Sequence, residues 1–204
     1  PIIALKNNIK SAIKLRRELF DNQTNCYRVI NAEGDRISGL TVDRYNDIIV
    51  IQIVTFGIDR LKEIIIQTLI EEFNKEKEVI VSIYEKSTIH ARLKDGLKSF
   101  QGFVYGQNKE VTEVLENGIK FHVDIINSQK TGLFLDMREM RKLVGELSKD
   151  KTVLNCFSYT GGFSLYAMKG GAKKVDTVDI APEAIELAKK NFEINNIDAS
   201  QSKF

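Results

Sequence analysis

Residues 151–196 contain the side chains and the spacing best suited to binding a nucleotide. An apolar run closes near Asn155, the turn CFSYTGG follows with Gly161 and Gly162, and the strand-like run KVDTVDI carries Asp179 near its end. Glycines let the backbone approach a ligand at a helix N-terminus without a Cβ in the way. An acid at the end of the next strand can accept hydrogen bonds from both hydroxyls of a ribose. This order predicts one half of a nucleotide-binding α/β sheet.

The turn itself narrows the class of ligand. A turn that cradles a pyrophosphate has the pattern G-x-G-x-x-G. Here Phe157, Ser158, Tyr159 and Thr160 precede the glycine pair. The turn therefore suits an adenosine without phosphates, such as S-adenosylmethionine (SAM), and disfavours an NAD-dependent oxidoreductase.

Helices must hold this turn in place. Residues 163–168 are compact and apolar and stop at Gly170 and Gly171, a signal for the C-terminus of a helix. After the second strand, Pro182 suits a first helical turn. Apolar residues then recur at helical spacing at Ala184, Ile185, Ala188 and Phe192. The segment is predicted as strand, turn, helix, strand and helix.

Residues 154–196 resemble the SAM-binding segment of bacterial large-subunit rRNA cytosine-C5 methyltransferases. Residues 128–141 (SQKTGLFLDMREMR) are similar to the block before that family's first Rossmann strand, and residues 25–52 to the opening of its middle domain. The resemblance covers nearly the whole chain, and KTGLFLDMR is its most specific part. Members of this family carry an N-terminal PUA domain, a middle α/β domain and a C-terminal Rossmann-like methyltransferase domain.

The resemblance implies that the block at residues 128–141 lines a SAM pocket. It places Lys130, Thr131 and Phe134 near the methionine end of the cofactor, with Asp136 and Arg138 fixing the loop. From the residues alone, the charged side chains are also compatible with an ordinary helix start. The complete predicted cofactor set adds the strand ends and the turn: Asn155, Phe157, Ser158, Tyr159, Thr160, Gly161, Asp179 and Ile180.

The reaction that the resemblance implies is covalent. A cysteine thiolate adds to C6 of cytosine, and C5 then takes the methyl group from the sulfonium, which leaves as the thioether. A base removes the C5 proton, which expels the thiolate from C6 and releases the enzyme. In the family this cysteine comes from a segment after the second helix, so no catalytic residue is predicted before Phe204. Cys156 is interpreted as a small semi-buried thiol in the turn. The chain is accordingly expected to be an internal fragment without a PUA domain or a third Rossmann strand, and inactive alone.

The fold class is predicted as α/β, with a mixed α/β middle domain before the first part of a Rossmann-like SAM methyltransferase domain. The expected divisions are a connecting helix at 1–24, an RNA-side domain at 25–108, a linking β-hairpin at 109–126 and an incomplete SAM-binding domain at 127–204. Leu5, Ile9 and Ile13 share one face of the first helix. A second helix is expected from Asp59, a strand over 78–85, and a hairpin turn at 117–118 (Asn-Gly).

The amino-acid composition restricts the class of protein and its partners less than the motifs do. A hydrophobic content of 43% and a charged content of 28% are ordinary for a globular protein, and a net charge of +2 neither requires nor excludes RNA. Two cysteines far apart, and histidines without neighbouring ligands, indicate neither a disulfide framework nor a metal site. A cytoplasmic location and no membrane span are expected. An open sheet edge would favour a homodimer.

Two alternatives remain open on the sequence, one a related methyltransferase and the other from another class of function. The first is a guanine-N7 rRNA methyltransferase, whose domain has a similar TGLFLD and FSYTG pattern and needs no cysteine nucleophile. The matching middle domain, YRVINAEGDRISGLTVDRY, favours the cytosine enzyme. The second is a non-catalytic RNA-binding or assembly module with a vestigial SAM fold, which the absence of affinity for SAM would support.

Overall fold

The computed structural model describes residues 1–198, 200 and 202–204, and its α/β character agrees with the predicted fold class. The chain divides into two compact units. Unit 1 comprises residues 1–114 and 123–132, and unit 2 comprises residues 115–122 and 133–204. A β-hairpin therefore contributes residues to both units.

Unit 1 is built on a five-stranded sheet. Its elements are α1 (Ile2–Leu19), β1 (Cys26–Asn31), a 3-10 helix (Ala32–Asp35), β2 (Leu40–Tyr45), β3 (Ile48–Ile53), α2 (Phe56–Asp59), α3 (Lys62–Lys75), β4 (Ser82–Ser87), α4 (His90–Lys94) and β5 (Phe100–Gly106). The strands lie in sequence order. Only β3 and β4 pair in parallel, because α2 and α3 connect them, and the other neighbours are antiparallel.

The core of unit 1 forms where the helices α1 and α3 cover one face of this sheet. Ile9 and Ile13 of α1 are buried as their helical spacing predicted, together with Leu69 and Phe73 of α3. The arginines of α1 are held within unit 1, since Arg16 pairs with Asp35 and Arg17 with Glu78. Lys10 and Lys14 of the same helix are exposed.

Asp59 does not begin the long helix, so that prediction was wrong. It ends the short helix α2, and α3 starts at Lys62. The reason is a long-range ion pair, because an Asp59 carboxylate oxygen accepts from an Arg92 guanidinium nitrogen at 2.9 Å. The strand predicted over 78–85 also starts later, at Ser82, since Glu78 is taken up by the guanidinium groups of Arg17 and Arg44.

The predicted hairpin is confirmed as β6 (Val111–Glu116) and β7 (Ile119–Asp124). Asn117 and Gly118 have φ angles of 50° and 76°. Two consecutive left-handed residues are the signature of a type I′ turn, which matches the twist of paired strands and favours Asn-Gly.

Unit 2 contains a parallel three-stranded sheet in the order β10, β9, β8. Its elements are a 3-10 helix (Leu135–Met137), α5 (Arg138–Leu147), β8 (Thr152–Cys156), α6 (Gly162–Lys169), β9 (Lys174–Val178), α7 (Pro182–Ile194) and β10 (Ser202–Lys203). Val153 and Val175 pack with Ala167 of α6 on one face of the sheet. Helices α5 and α6 approach closely at Gly170, where an added Cβ would lie 1.9 Å from the Gly145 carbonyl oxygen.

The strand β10 corrects the expectation that no third Rossmann strand is present. Ser202 pairs with Val175 and Lys203 with Asp176, in parallel. Two residues are too few to show a strand period in the sequence, so the pattern could not reveal them.

Candidate cofactor site

The candidate site lies where the neighbouring parallel strands β8 and β9 end. Cys156 and Val178 are the last paired residues of the two strands, and Phe157 and Asp179 follow them directly. Ligands of open α/β sheets bind outside the carboxyl ends of the strands. The structure therefore brings the predicted turn residues and Asp179 to one edge of the sheet in unit 2.

The turn after β8 has an unusual backbone. Phe157, Tyr159 and Gly161 have φ angles of 58°, 47° and 72°. Left-handed conformations cost about 1–2 kcal/mol for a residue with a Cβ, and strained backbones of this kind cluster at ligand sites. The Ser158 N–H donates to the Val178 carbonyl at 3.1 Å and the Gly161 N–H to the Ser158 carbonyl at 2.9 Å. The turn is thus fixed by backbone bonds before any ligand arrives.

Asp179 ties the two strand ends together. Its carboxylate accepts from the backbone N–H of Ala181 at 3.0 Å and from that of Tyr159 at 2.9 Å. Hydrogen bonds from Ala181 and then Tyr159 favour the ionised form and hold the Asp179 pKa below its ordinary value. Because a carboxylate offers about four acceptor positions, the free ones can still accept two ribose hydroxyls.

The remaining groups at this edge fit an adenosine. Phe157 and Ile180 follow the two strand ends with exposed fractions of 90% and 96%, so two large apolar side chains are open to an aromatic base. The Ser158 hydroxyl is buried and has no hydrogen-bond partner among the described residues. A buried hydroxyl without a partner is costly, which makes it a natural contact for a polar ligand atom. The chemistry of these residues is compatible with SAM.

Asn155 and Thr160 are placed under the turn. The Asn155 amide donates to the Ser164 hydroxyl at 2.9 Å, and Ser164 in turn accepts from Thr177 at 2.8 Å. Thr160 is buried, and its carbonyl accepts from the Asn191 amide at 2.9 Å. In the structure both residues support the shape of the site.

Phe134 reaches the turn from the preceding block. Its ring meets the Tyr159 ring edge-on, with centroids 5.4 Å apart. Asp136 lies in the short 3-10 helix, and the Arg138 guanidinium bonds Glu139 at 2.9 Å at the start of α5. These three predicted residues belong to unit 2 with the turn.

An ion pair that the sequence did not single out holds this block. Arg141 donates to both carboxylate oxygens of Glu116, at 2.8 and 2.6 Å, and to the Phe134 carbonyl at 3.1 Å. The Tyr166 hydroxyl donates to Glu116 at 3.1 Å, and burial, followed by the Glu116 charge, raises the Tyr166 pKa. The sequence offered one signal for Glu116: it lies at an alternate position of β6 with Thr112 and Val114, and the structure shows that this side of the strand is buried.

Lys130 and Thr131 belong to unit 1. The Thr131 hydroxyl is buried, donates to Asp43 at 2.7 Å and lies 2.9 Å from the Tyr45 hydroxyl. Lys130 adopts a left-handed φ of 49° in the same loop. Lys86 anchors the start of this loop through the carbonyl oxygens of Ile125, Ile126 and Ser128 at 2.9, 3.2 and 2.8 Å.

Cys156 is exposed, so the prediction of a semi-buried thiol was wrong. It points to the same face of the sheet as its partner Val178, which is also exposed, whereas α6 covers the opposite face. Alternation along β8 accounts for the difference, since a shift of one residue changes the face.

Residues 1–198, 200 and 202–204 form neither a cluster of metal ligands nor a membrane-spanning helix. No group of three or more His, Cys, Asp or Glu side chains in these ranges could hold a metal ion. No helix formed by the same residues has the length and apolar character needed to cross a bilayer.

Known proteins match both the sequence and the fold. The ribosomal RNA large subunit methyltransferase I of Aliivibrio fischeri (strain MJ11) is 44% identical over 179 residues, which are 87% of this chain and 44% of that protein. A structure from Streptococcus mutans, assigned as a SAM-dependent methyltransferase, superposes with a TM-score of 0.84 at 28% identity over 99% of this chain and 51% of that one.

A second solved methyltransferase, complexed with SAH, has a TM-score of 0.84 at 27% identity and covers 99% of this chain and 50% of that one. The chain thus spans about half the length of the relatives that it matches. A model of the S-adenosylmethionine-dependent methyltransferases matches residues 40–204. That match covers most of the chain, which therefore belongs to the S-adenosylmethionine-dependent methyltransferase family.

Proposed function

We propose that the full-length protein transfers a methyl group from SAM to C5 of a cytosine in large-subunit rRNA, and that this chain supplies the cofactor-binding part. The observation that carries the proposal is the strained turn at residues 157–161 beside Asp179, at the ends of two parallel strands. The rRNA substrate is supported by the name of the relative from Aliivibrio fischeri, and the cytosine by the resemblance of residues 25–52 and 128–141.

Each predicted residue has a role in this proposal. Asp179 accepts the ribose hydroxyls, while Phe157 and Ile180 cover the adenine. Ser158, Tyr159, Thr160 and Gly161 form the floor of the turn, which Asn155 supports from below. For the methionine end, the resemblance implies Lys130, Thr131 and Phe134, with Asp136 and Arg138 fixing the loop.

SAM supplies an electrophilic methyl group on a sulfonium centre when it is bound. The residues of this chain orient that group and leave the attack on cytosine to residues outside the chain. Cys156 is not the proposed nucleophile, because the resemblance places the reactive cysteine in a segment after the second helix.

The test uses the full-length protein, methyl-labelled SAM and unmodified large-subunit rRNA. After nuclease digestion, mass spectrometry of the nucleosides is expected to show labelled 5-methylcytidine. Labelled 7-methylguanosine would overturn the choice of base. Binding of rRNA without any methyl transfer, and without affinity for SAM, would instead indicate a non-catalytic module.

A further inference from the structure

Asn191 of α7 and Asn195, the residue directly after that helix, bind the edge of strand β7 inside unit 2. The two asparagines are four residues apart, so their side chains leave the end of the helix on the same side. The Asn195 amide accepts from the Lys120 N–H at 2.9 Å and donates to the Lys120 carbonyl at 2.7 Å. The Asn195 side chain thus makes the two hydrogen bonds to Lys120 that a neighbouring strand would make.

Asn191 differs from Asn195 in what its amide nitrogen reaches. Its side-chain oxygen accepts from the His122 N–H at 2.8 Å, again on β7. Its nitrogen, however, donates to the Thr160 carbonyl at 2.9 Å, inside the turn of the candidate cofactor site. Asn191 is completely buried, so water cannot replace either bond.

The partners of Asn191 require an amide. A backbone N–H can only donate and a carbonyl can only accept, so the side chain must offer one acceptor and one donor. A carboxylate offers acceptors alone, and an apolar side chain offers neither. The bond to Thr160 also fixes the peptide that joins Thr160 to Gly161, the residue whose φ of 72° closes the turn.

We propose that Asn191 is a positioning residue for the cofactor: it holds the Thr160–Gly161 peptide in the orientation that the adenosine site needs, whereas Asn195 serves folding only. This inference rests on the proposed function, since it assigns Asn191 to the same SAM site. It predicts that experiments can separate the roles of the two asparagines, although they are four residues apart and share a residue type and a partner strand.

The test compares Asn191→Asp with Asn195→Asp in the 204-residue chain. Either substitution keeps the acceptor for the β7 N–H and removes the amide donor, which serves one carbonyl in Asn191 and two, those of Lys120 and Asn191, in Asn195. Both variants are therefore expected to have a lower melting temperature than the wild type. Titration with S-adenosylhomocysteine (SAH) at pH 7.5 is expected to show a loss of about tenfold or more in affinity for N191D, because a carboxylate then faces the Thr160 carbonyl. N195D is expected to bind SAH within about twofold of the wild type, because the hydrogen bonds of the Asn195 side chain go to Lys120 and Asn191 and not to the turn.

Two further readouts separate positioning from folding. Lowering the pH towards 5 should restore SAH affinity to N191D, since a protonated carboxyl can donate to the Thr160 carbonyl, while N195D should follow the wild type. Hydrogen exchange at the Gly161 amide should accelerate in N191D alone, because the turn has lost its anchor. In the full-length enzyme the KM for SAM should rise while the KM for RNA is unchanged.

SAH titration distinguishes a failure of the role of Asn191 from a failure of the proposed cofactor site. Undiminished SAH binding by N191D, or an equal loss in N195D, would overturn the role of Asn191 while leaving the proposed function standing. A wild-type chain that takes up no SAH would instead remove the proposed cofactor site, and this inference with it.

Discussion

Replacing Arg141 by methionine should destabilise unit 2 far more than its place on a short helix suggests. The Arg141 and Glu116 side chains are 4% and 0% exposed, with two hydrogen bonds of 2.8 and 2.6 Å between them. Removing one member of a buried pair leaves an uncompensated charge, at a cost of about 3–5 kcal/mol. For a unit of this size, about 4–8 °C per kcal/mol places the fall in melting temperature at about 12 °C or more.

The chain contains a matched control on the same helix. Arg138 pairs with Glu139, with side chains 19% and 72% exposed, so Arg138→Met should cost no more than about 1 kcal/mol. Because the chain divides into two compact units, the assay is urea denaturation followed by circular dichroism, together with hydrogen exchange on peptides of α5 and α6, which reports on unit 2 alone.

A double variant tests the physical reason. Glu116→Gln neutralises the orphaned charge, and its side-chain oxygen can still accept from the Tyr166 hydroxyl. Combined with Arg141→Met, it should therefore recover part of the lost stability. A loss below about 1 kcal/mol for R141M alone, or a double variant less stable than R141M, would refute the reasoning about the buried charge.

Three further predictions concern the turn, the pH dependence and the RNA. Gly161→Ala should weaken SAH binding and lower stability by about 1–2 kcal/mol, because the φ of Gly161 is 72° and the new Cβ would lie 2.8 Å from the Ala188 Cβ. The control is Gly57→Ala, whose new Cβ has no atom within 4 Å and which should leave both quantities unchanged in calorimetry. Burial opposes ionisation of Glu78, but hydrogen bonds from Arg44 and Arg17 outweigh it and hold the Glu78 pKa below the ordinary 4.5. The stability that this group contributes is present above pH 4.5 and is lost as the pH falls through the lowered pKa. Glu78→Gln should therefore make the urea midpoint depend less on pH in the acid range. Lys94 and Lys98 are exposed and precede the exposed Phe100. The double variant Lys94→Ala, Lys98→Ala should weaken single-stranded RNA binding by the full-length protein and reduce the slope of log K against log salt concentration by about 1.4. The control variant Lys149→Ala, Lys151→Ala should leave both unchanged.

The turn and Asp179 could be predicted from the sequence because their information is local. A strand, a glycine turn, a helix and an acid-ended strand follow one another within 46 residues, and each element has its own period or terminal signal. The same holds for the Asn117-Gly118 hairpin, where the turn type dictates the residues.

What supports the site could not be predicted, because it depends on partners far apart in the chain. Arg141 meets Glu116 across 25 residues, and Asn191 meets Thr160 across 31. A buried acid at an alternating strand position marks that a partner exists but does not say which arginine supplies it. Asp59 shows the same limit. Its sequence context is typical of a helix start, but its ion pair with Arg92, far away in the chain, places it at the end of α2.

The most direct measurement of the central claim is a calorimetric titration of the chain with SAH, before and after Asp179→Ala. The wild-type chain should bind SAH. The variant should lose about 100-fold or more in affinity, because two hydrogen bonds to a charged acceptor are worth about 1.5–3 kcal/mol each. The loss of the bonds from Tyr159 and Ala181 would add to this effect. A variant that binds SAH as tightly as the wild type would contradict the assignment of the strand-end turn as the adenosine site.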